Sequence, residues 1–255
     1  MKRARFAWST IAAVALFASP AFAGPILYDQ SLGGPGWYNG SGNPNGGFTV
    51  ATDNGVEIGL RIKGRQNPNV IHSPNNVYDV PAGAQPGVPN RAWWNHEWSI
   101  YLSPTAGLML DDIMPFSTYT VADLTAGVSN TVSFVPPGMP CDSSYWGPGG
   151  EDIGTPGGNA CGSTLWPTHW GVQNSGNPTF GDFPLNPLPA YEFDMNAEHY
   201  YRITLDVRNQ AGLLASNTID VRVGAAALPA PEPATLALFG LSLAGLGLRR
   251  YRGRA

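Results

Sequence analysis

Charge is scarce in this 255-residue chain: Asp, Glu, Lys and Arg together make up 13% of it, about half the usual share of a globular domain. Long amphipathic helices, which need a charged face, are therefore not expected. Histidines number four and cysteines two. His72, His96, His169 and His199 stand far apart, with no H-E-x-x-H or H-x-H pattern to put two imidazoles on one metal. Gly-x-Ser-x-Gly is missing as well; Gly40-Ser41-Gly42 and Gly162-Ser163 lack the strand-to-helix setting of a nucleophile elbow. What is abundant is Gly, at 32, and Pro, at 24, the punctuation of a chain with many turns. The 43% apolar content is enough for a real core.

The ends are set apart from the rest. Lys2, Arg3 and Arg5, then the apolar run Ile11 to Ala18, then Ala21-Phe22-Ala23 have the order of a secretory signal peptide over residues 1–23. A Sec translocon and a signal peptidase are thus expected partners, and the mature chain starts at Gly24. At the other end, Pro231-Glu232-Pro233 precedes an uncharged run over 234–248 and then Arg249, Arg250, Arg252 and Arg254. Fifteen helical residues rise about 22 Å, short of the roughly 30 Å hydrocarbon core, so the arginines would snorkel. They would stay cytoplasmic, leaving everything before Pro231 outside. The prolines deny the backbone two donors and keep 231–233 extended and accessible.

This tail of motif, short apolar helix and arginine cluster resembles the PEP-CTERM sorting domain. The resemblance implies a transient inner-membrane anchor recognised by exosortase, an integral membrane cysteine protease of Gram-negative bacteria that make exopolysaccharide. Surface display or release into an extracellular matrix would follow. The runs Trp98-Ser-Ile-Tyr-Leu, Gly107-Leu-Met-Leu-Asp111, Gly171 to Pro178 and Leu214 to Val221 are also similar to a recurrent type of exported PEP-CTERM protein. No biochemical activity carries over from that likeness, which bears on architecture and export.

With the ends removed, residues 24–230 hold seven basic against 17 acidic residues, a net charge of −10. Such a surface repels phosphate backbones and excludes nucleic acid as a partner; neutral glycans, cationic groups and divalent metals stay compatible. Cys141 and Cys161, in an exported chain, are expected to form a disulfide closing a loop of about 20 residues, which contributes roughly 3 kcal/mol in the chain-entropy model.

Period-2 segments bounded by turns run through 24–227. Gly47–Thr52 and Val56–Ile62 flank Asp53-Asn54-Gly55, a hairpin signal. In the second of these, residues 56, 58, 60 and 62 face one way while Glu57, Arg61 and Lys63 face the solvent. Alternation recurs in 98–102, 116–121 and 131–135, and in a closing hairpin, Tyr200–Arg208 and Leu213–Val223, joined by 209–212. The expected fold is all-β, an antiparallel β-sandwich of jelly-roll or Ig-like type. It would be followed by a short stalk at 228–230 and the sorting tail at 231–255. Two stretches, 67–90 and 136–196, look irregular, and long loops are often functional.

Glycosidase chemistry needs two carboxylates about 5–9 Å apart; Glu97, Asp111, Asp112 and Glu192 qualify by residue type only. Asp142, Glu151 and Asp152 lie in a Gly-rich loop whose carbonyls could complete a structural Ca²⁺ site. The aromatics are the best binding candidates: Trp94 in the cluster 93–98, and Trp146, Trp166 and Trp170 in loops, since flat rings stack on sugar faces. For Trp94, Trp98 and Ile100 the competing role is filling the core. The functional reading is a non-catalytic surface or matrix protein associated with exopolysaccharide in a biofilm. A secreted carbohydrate-active enzyme and a structural adhesin are the alternatives.

Overall fold

A computed structural model describes residues 24–34, 36–37, 44–64, 70–133, 144–147, 168–181 and 183–224. The expected signal peptide, stalk and sorting tail lie outside these residues, as do Cys141, Cys161, Trp166, Asp142, Glu151 and Asp152.

The first hairpin forms where its turn chemistry puts it. Strand β2 (Phe48–Asp53) and β3 (Val56–Gly64) are joined by Asn54-Gly55, with φ of +48° and +77°, the left-handed pair that a two-residue turn requires. The Asp53 carboxylate accepts the Asn54 N–H at 2.9 Å, and Asn54 Nδ2 donates to the Leu214 carbonyl at 2.8 Å. Beside β2 lies the edge strand β1 (Ile26–Gln30), and beside β3 lies β7 (Trp94–Leu102). Then come β11 (Gly171–Gly176) and β10 (Ser144–Trp146), completing a six-stranded antiparallel sheet in the order β1-β2-β3-β7-β11-β10.

The second sheet has five strands: β4 (Val77–Val80), β8 (Thr118–Asp123), β9 (Val128–Ser133), β12 (His199–Asn209) and β13 (Gly212–Val223), ordered β4-β13-β12-β8-β9. The Asn209 side chain accepts the N–H groups of Ala211 and Gly212 and so caps the β12–β13 turn. A small ribbon of β5 (Ala84–Gln85) and β6 (Val88–Ala92) stands apart. One helical turn, α1 (Leu110–Ile113), is the single α-helix among the described residues.

The inward faces of both large sheets meet in one core. Val56, Ile58, Leu60 and Ile62 of β3 are fully buried and cluster with Trp94, Trp98 and Ile100 of β7 and with Tyr201, Ile203, Leu205 and Val207 of β12. The all-β expectation therefore holds, with two corrections. First, β4 runs parallel to β13, so pairing is not antiparallel throughout. Second, the stretches expected to be irregular contain strands: β4, β5 and most of β6 in 67–90, β10 and β11 in 136–196. Strand β11, Gly-Val-Gln-Asn-Ser-Gly, is buried on both faces by polar side chains whose bonds are made inside the protein. Gln173 Nε2, for instance, donates to the Gly36 carbonyl at 2.5 Å. Burial of satisfied polar groups leaves no alternating apolar signal to read.

A third correction concerns the outward face of β3. Arg61 and Lys63, expected in solvent, are 1% and 3% exposed. Residues 31–34, 36–37 and 44–47 lie over this face: Leu32, Trp37, Phe48 and Val50 form a second small core, and the Arg61 guanidinium sits 4.1 Å from the Phe48 ring centroid. Gly59 has no side chain because a Cβ there would collide with Leu32.

Candidate functional site

The aromatic candidates separate once placed. Trp94, 1% exposed, stands edge-on to Phe183 at 6.4 Å and tilts against Tyr201 at 5.7 Å. It fills the space between the sheets and presents no face to a sugar, which overturns its assignment as a glycan contact. Trp170 is half-buried against the same core, and its carbonyl accepts the Leu102 N–H at 2.7 Å. Trp146 belongs to the edge strand β10, paired with Gly171.

The carboxylates are equally dispersed. Glu97 is 2% exposed; it accepts Arg61 Nε at 2.5 Å and the Ser175 hydroxyl at 3.1 Å. This is an internal ion pair beneath residues 31–34, 36–37 and 44–47. Asp111 and Asp112 lie together on α1 along an open groove with Phe116 and Gln210, and Asp112 spends one oxygen capping the Met109 N–H at 2.8 Å. Glu192 is exposed in the segment before β12. Among the described residues no group of three His, Cys, Asp or Glu is placed to hold a metal ion.

Sequence reasoning missed a buried network at the start of β12. His199 Nδ1 meets Asp123 Oδ2 at 2.8 Å, Tyr191 donates to the same oxygen at 3.1 Å, and Tyr191 and Tyr201 hydroxyls lie 3.0 Å apart. Burial pushes the Asp123 carboxyl up, but the bonds from His199, the Ala126 N–H and Tyr191 outweigh it and bring it below its ordinary value. The Asp123 bond raises His199, against burial. Elsewhere in the core, His96 contacts the Tyr119 hydroxyl at 3.0 Å, and burial lowers its pKa to about 4.

These shifts set the pH dependence of stability. Because His199 is raised, its contribution is complete below the unfolded value of about 6.5 and is lost as pH climbs through the folded value. His96 acts oppositely: below about 6.5 the unfolded chain takes up a proton that the folded chain refuses until about pH 4. The Asp123 contribution is present above about 3.9 and vanishes at lower pH. Thermal midpoints measured from pH 3 to 9 are expected to peak near the ordinary histidine value. His199→Gln should flatten the alkaline limb and His96→Gln the acid limb; identical profiles for all three proteins would refute this.

The outward face of the five-stranded sheet carries an ordered set of polar side chains. Register sets Thr131 opposite Thr120, Thr120 opposite Thr204, and Thr204 opposite Thr218, a row of four hydroxyls crossing β9, β8, β12 and β13. Thr120 and Thr131 hydroxyls are 2.8 Å apart, Thr204 and Thr218 2.9 Å. Arginines on this face are matched to aspartates: Arg202 to Asp220 at 2.8 Å, Arg208 to Asp206 at 2.9 Å and Arg222 to Asp79 at 2.6 Å. None of this row was legible from the turn alone: the 209–212 turn by itself would set residue 204 opposite 217, and the register shift between Val207 and Arg208 brings Thr218 there instead. The rest of the row depends on β8 docking against β12 from 80 residues away.

Fold and surface thus define an acidic all-β protein whose described part carries two large sheets, one with its outward face covered and the other more open. Comparison with known families reaches the C-terminal end: residues 229–252 match the PEP-CTERM protein-sorting motif. That motif marks a secreted protein sorted by exosortase, exported and transiently anchored in the membrane on its way. The apolar run at 234–248 lies outside the described residues; within them no helix is long and apolar enough to cross a membrane. No curated protein matches the chain.

Proposed function

We propose that this is a non-catalytic protein of the cell surface or extracellular matrix of a Gram-negative bacterium, associated with exopolysaccharide in a biofilm. The observation that carries the reading is the sorting motif at 229–252. Its companions are the acidity of residues 24–230 and the withdrawal of Glu97 into an ion pair. The chain divides into a signal peptide at 1–23, a β-sandwich domain of jelly-roll or Ig-like type at 24–227, a stalk at 228–230 and the sorting tail at 231–255. Exosortase acts at Pro231-Glu232-Pro233, with Arg249, Arg250, Arg252 and Arg254 holding the cytoplasmic side. A Cys141–Cys161 disulfide pins the intervening loop, and Asp142, Glu151 and Asp152 offer it a calcium ion. Trp146, Trp166 and Trp170 remain sugar contacts in this reading.

The test is co-sedimentation of the full chain, in mild detergent, with exopolysaccharide purified from the producing strain, with and without EDTA. Saturable binding is expected, weakened by EDTA where calcium orders the loop. Failure of folded, disulfide-bonded protein to bind removes the exopolysaccharide role. Asp111→Asn separates the enzymatic alternative: it should leave binding unchanged, whereas loss of a glycan-cleaving activity would establish catalysis.

A further inference from the structure

We propose that the outward face of the five-stranded sheet is a docking platform for an uncharged linear polysaccharide lying across the strands, with Thr131, Thr120, Thr204 and Thr218 as its line of contacts. The proposal rests on the exopolysaccharide reading above and adds the surface and the sugar chemistry.

Geometry supplies the first argument. The four threonines occupy successive strands in strict register, so their spacing is that of neighbouring strands, about 4.8 Å. The hydroxyls themselves draw together into two pairs, 2.8 and 2.9 Å apart, whose centres lie two strands, about 10 Å, apart, close to the advance of a disaccharide along an extended polysaccharide. Threonine is branched at Cβ and stiff at χ1, and two mutual hydroxyl bonds hold the row further. Little side-chain entropy is left to lose on binding. Each hydroxyl is both donor and acceptor, matching sugar hydroxyls, while the threonine methyls offer apolar contact to sugar C–H groups.

Charge supplies the second. Arg202, Arg208 and Arg222 are three of the seven basic residues in 24–230, and each is spent on an aspartate of the same face. The face is therefore neutral, and the whole net charge of −10 falls on the rest of the exported segment. An anionic polysaccharide meets repulsion from the surrounding surface; an uncharged one does not. The third argument is asymmetry. The six-stranded sheet has its outward face covered by residues 31–34, 36–37 and 44–47 over Arg61 and Glu97. The threonine row stays more open among the described residues: Thr131 is exposed, and Thr120, Thr204 and Thr218 are half-buried.

Depletion isotherms with the full chain in mild detergent test this, using amorphous cellulose and linear mannan as uncharged probes, alginate as the charged one, and the producing strain's exopolysaccharide. Wild-type protein should bind at least one uncharged chain about tenfold more tightly than alginate. Thr120→Lys/Thr204→Lys should weaken that binding about tenfold or more while keeping the thermal midpoint. Thr131→Lys, on the exposed edge strand, gives the same reading should the double variant not fold. Equal binding by wild type and the lysine variants, or preference for alginate, overturns the proposal. If the native exopolysaccharide retains wild type and variants alike, the exopolysaccharide role stands and only this face is eliminated. If wild type binds none of the probes and not the native polymer, both fall.

Discussion

Glu97→Ala is expected to cost about 3–5 kcal/mol of stability, as breaking a buried ion pair from one side does, and to lower the thermal midpoint by roughly 10 °C. The cause is the partner left behind. Arg61 is 1% exposed, and without Glu97 its charge remains in a layer walled by Phe48 and Trp37. Burial also depresses Lys63, and Glu97 is the charge that offsets this. The pair does more than neutralise itself: Arg61 Nη1 donates to the carbonyls of Pro44 at 2.9 Å and Gly46 at 2.6 Å, fastening 44–47 to the sheet. Arg61→Met/Glu97→Leu, which removes both charges, should be less destabilised than Glu97→Ala alone, because apolar isosteres of a buried pair are often neutral or better. Urea unfolding of the wild type and the two variants decides it, and a Glu97→Ala loss under about 1 kcal/mol, the range of a surface pair, would contradict the buried geometry. The consequence for function is practical. An amide at position 97 cannot serve as a probe of catalysis, because its effect on folding comes first; Asp111 can.

The second large effect is Trp94→Ala, expected at about 3–5 kcal/mol, the cost of emptying an aromatic site in a packed core. Trp94 touches Phe183 and Tyr201 and so joins β7, β12 and the 183–195 segment. Trp94→Phe, which keeps most of the volume, should lose much less. Exopolysaccharide binding by the folded fraction should be unchanged in both. The opposite pattern, binding lost with stability kept, would make Trp94 a sugar contact after all.

Different physical causes separate what was legible from what was not. The β2–β3 and β12–β13 hairpins could be read from Asn54-Gly55 and the 209–212 turn because turn chemistry is local; the turn also dictates register in β2–β3, whereas in β12–β13 the shift between Val207 and Arg208 resets it. The inward positions of β3 followed from alternation for the same reason. Strand β11 could not be read, since Gln173 is buried through bonds to Gly36 and Ser99, partners that only folding supplies. Arg61 looked like a solvent residue because period 2 distinguishes two faces and says nothing of what covers them. Its burial depends on Leu32 and Trp37, contributed by a segment about 25 residues earlier. Trp94 shared one strand face with Trp98 and Ile100 in either role, and only the opposing sheet settled that the face is interior.

Taken alone, the sequence determined the export route and the all-β class. Both are written in short linear patterns: Pro231-Glu232-Pro233 with its following apolar run and arginines, and period-2 alternation between turns. Neither needs a distant partner to be recognised. Tertiary structure alone decided which sheet face is covered and which is more open, that Glu97 is committed to Arg61, and that four threonines from four strands form one line. Those outcomes arise from pairings between residues tens of positions apart, where burial and register are properties of the assembled sheets and not of any segment.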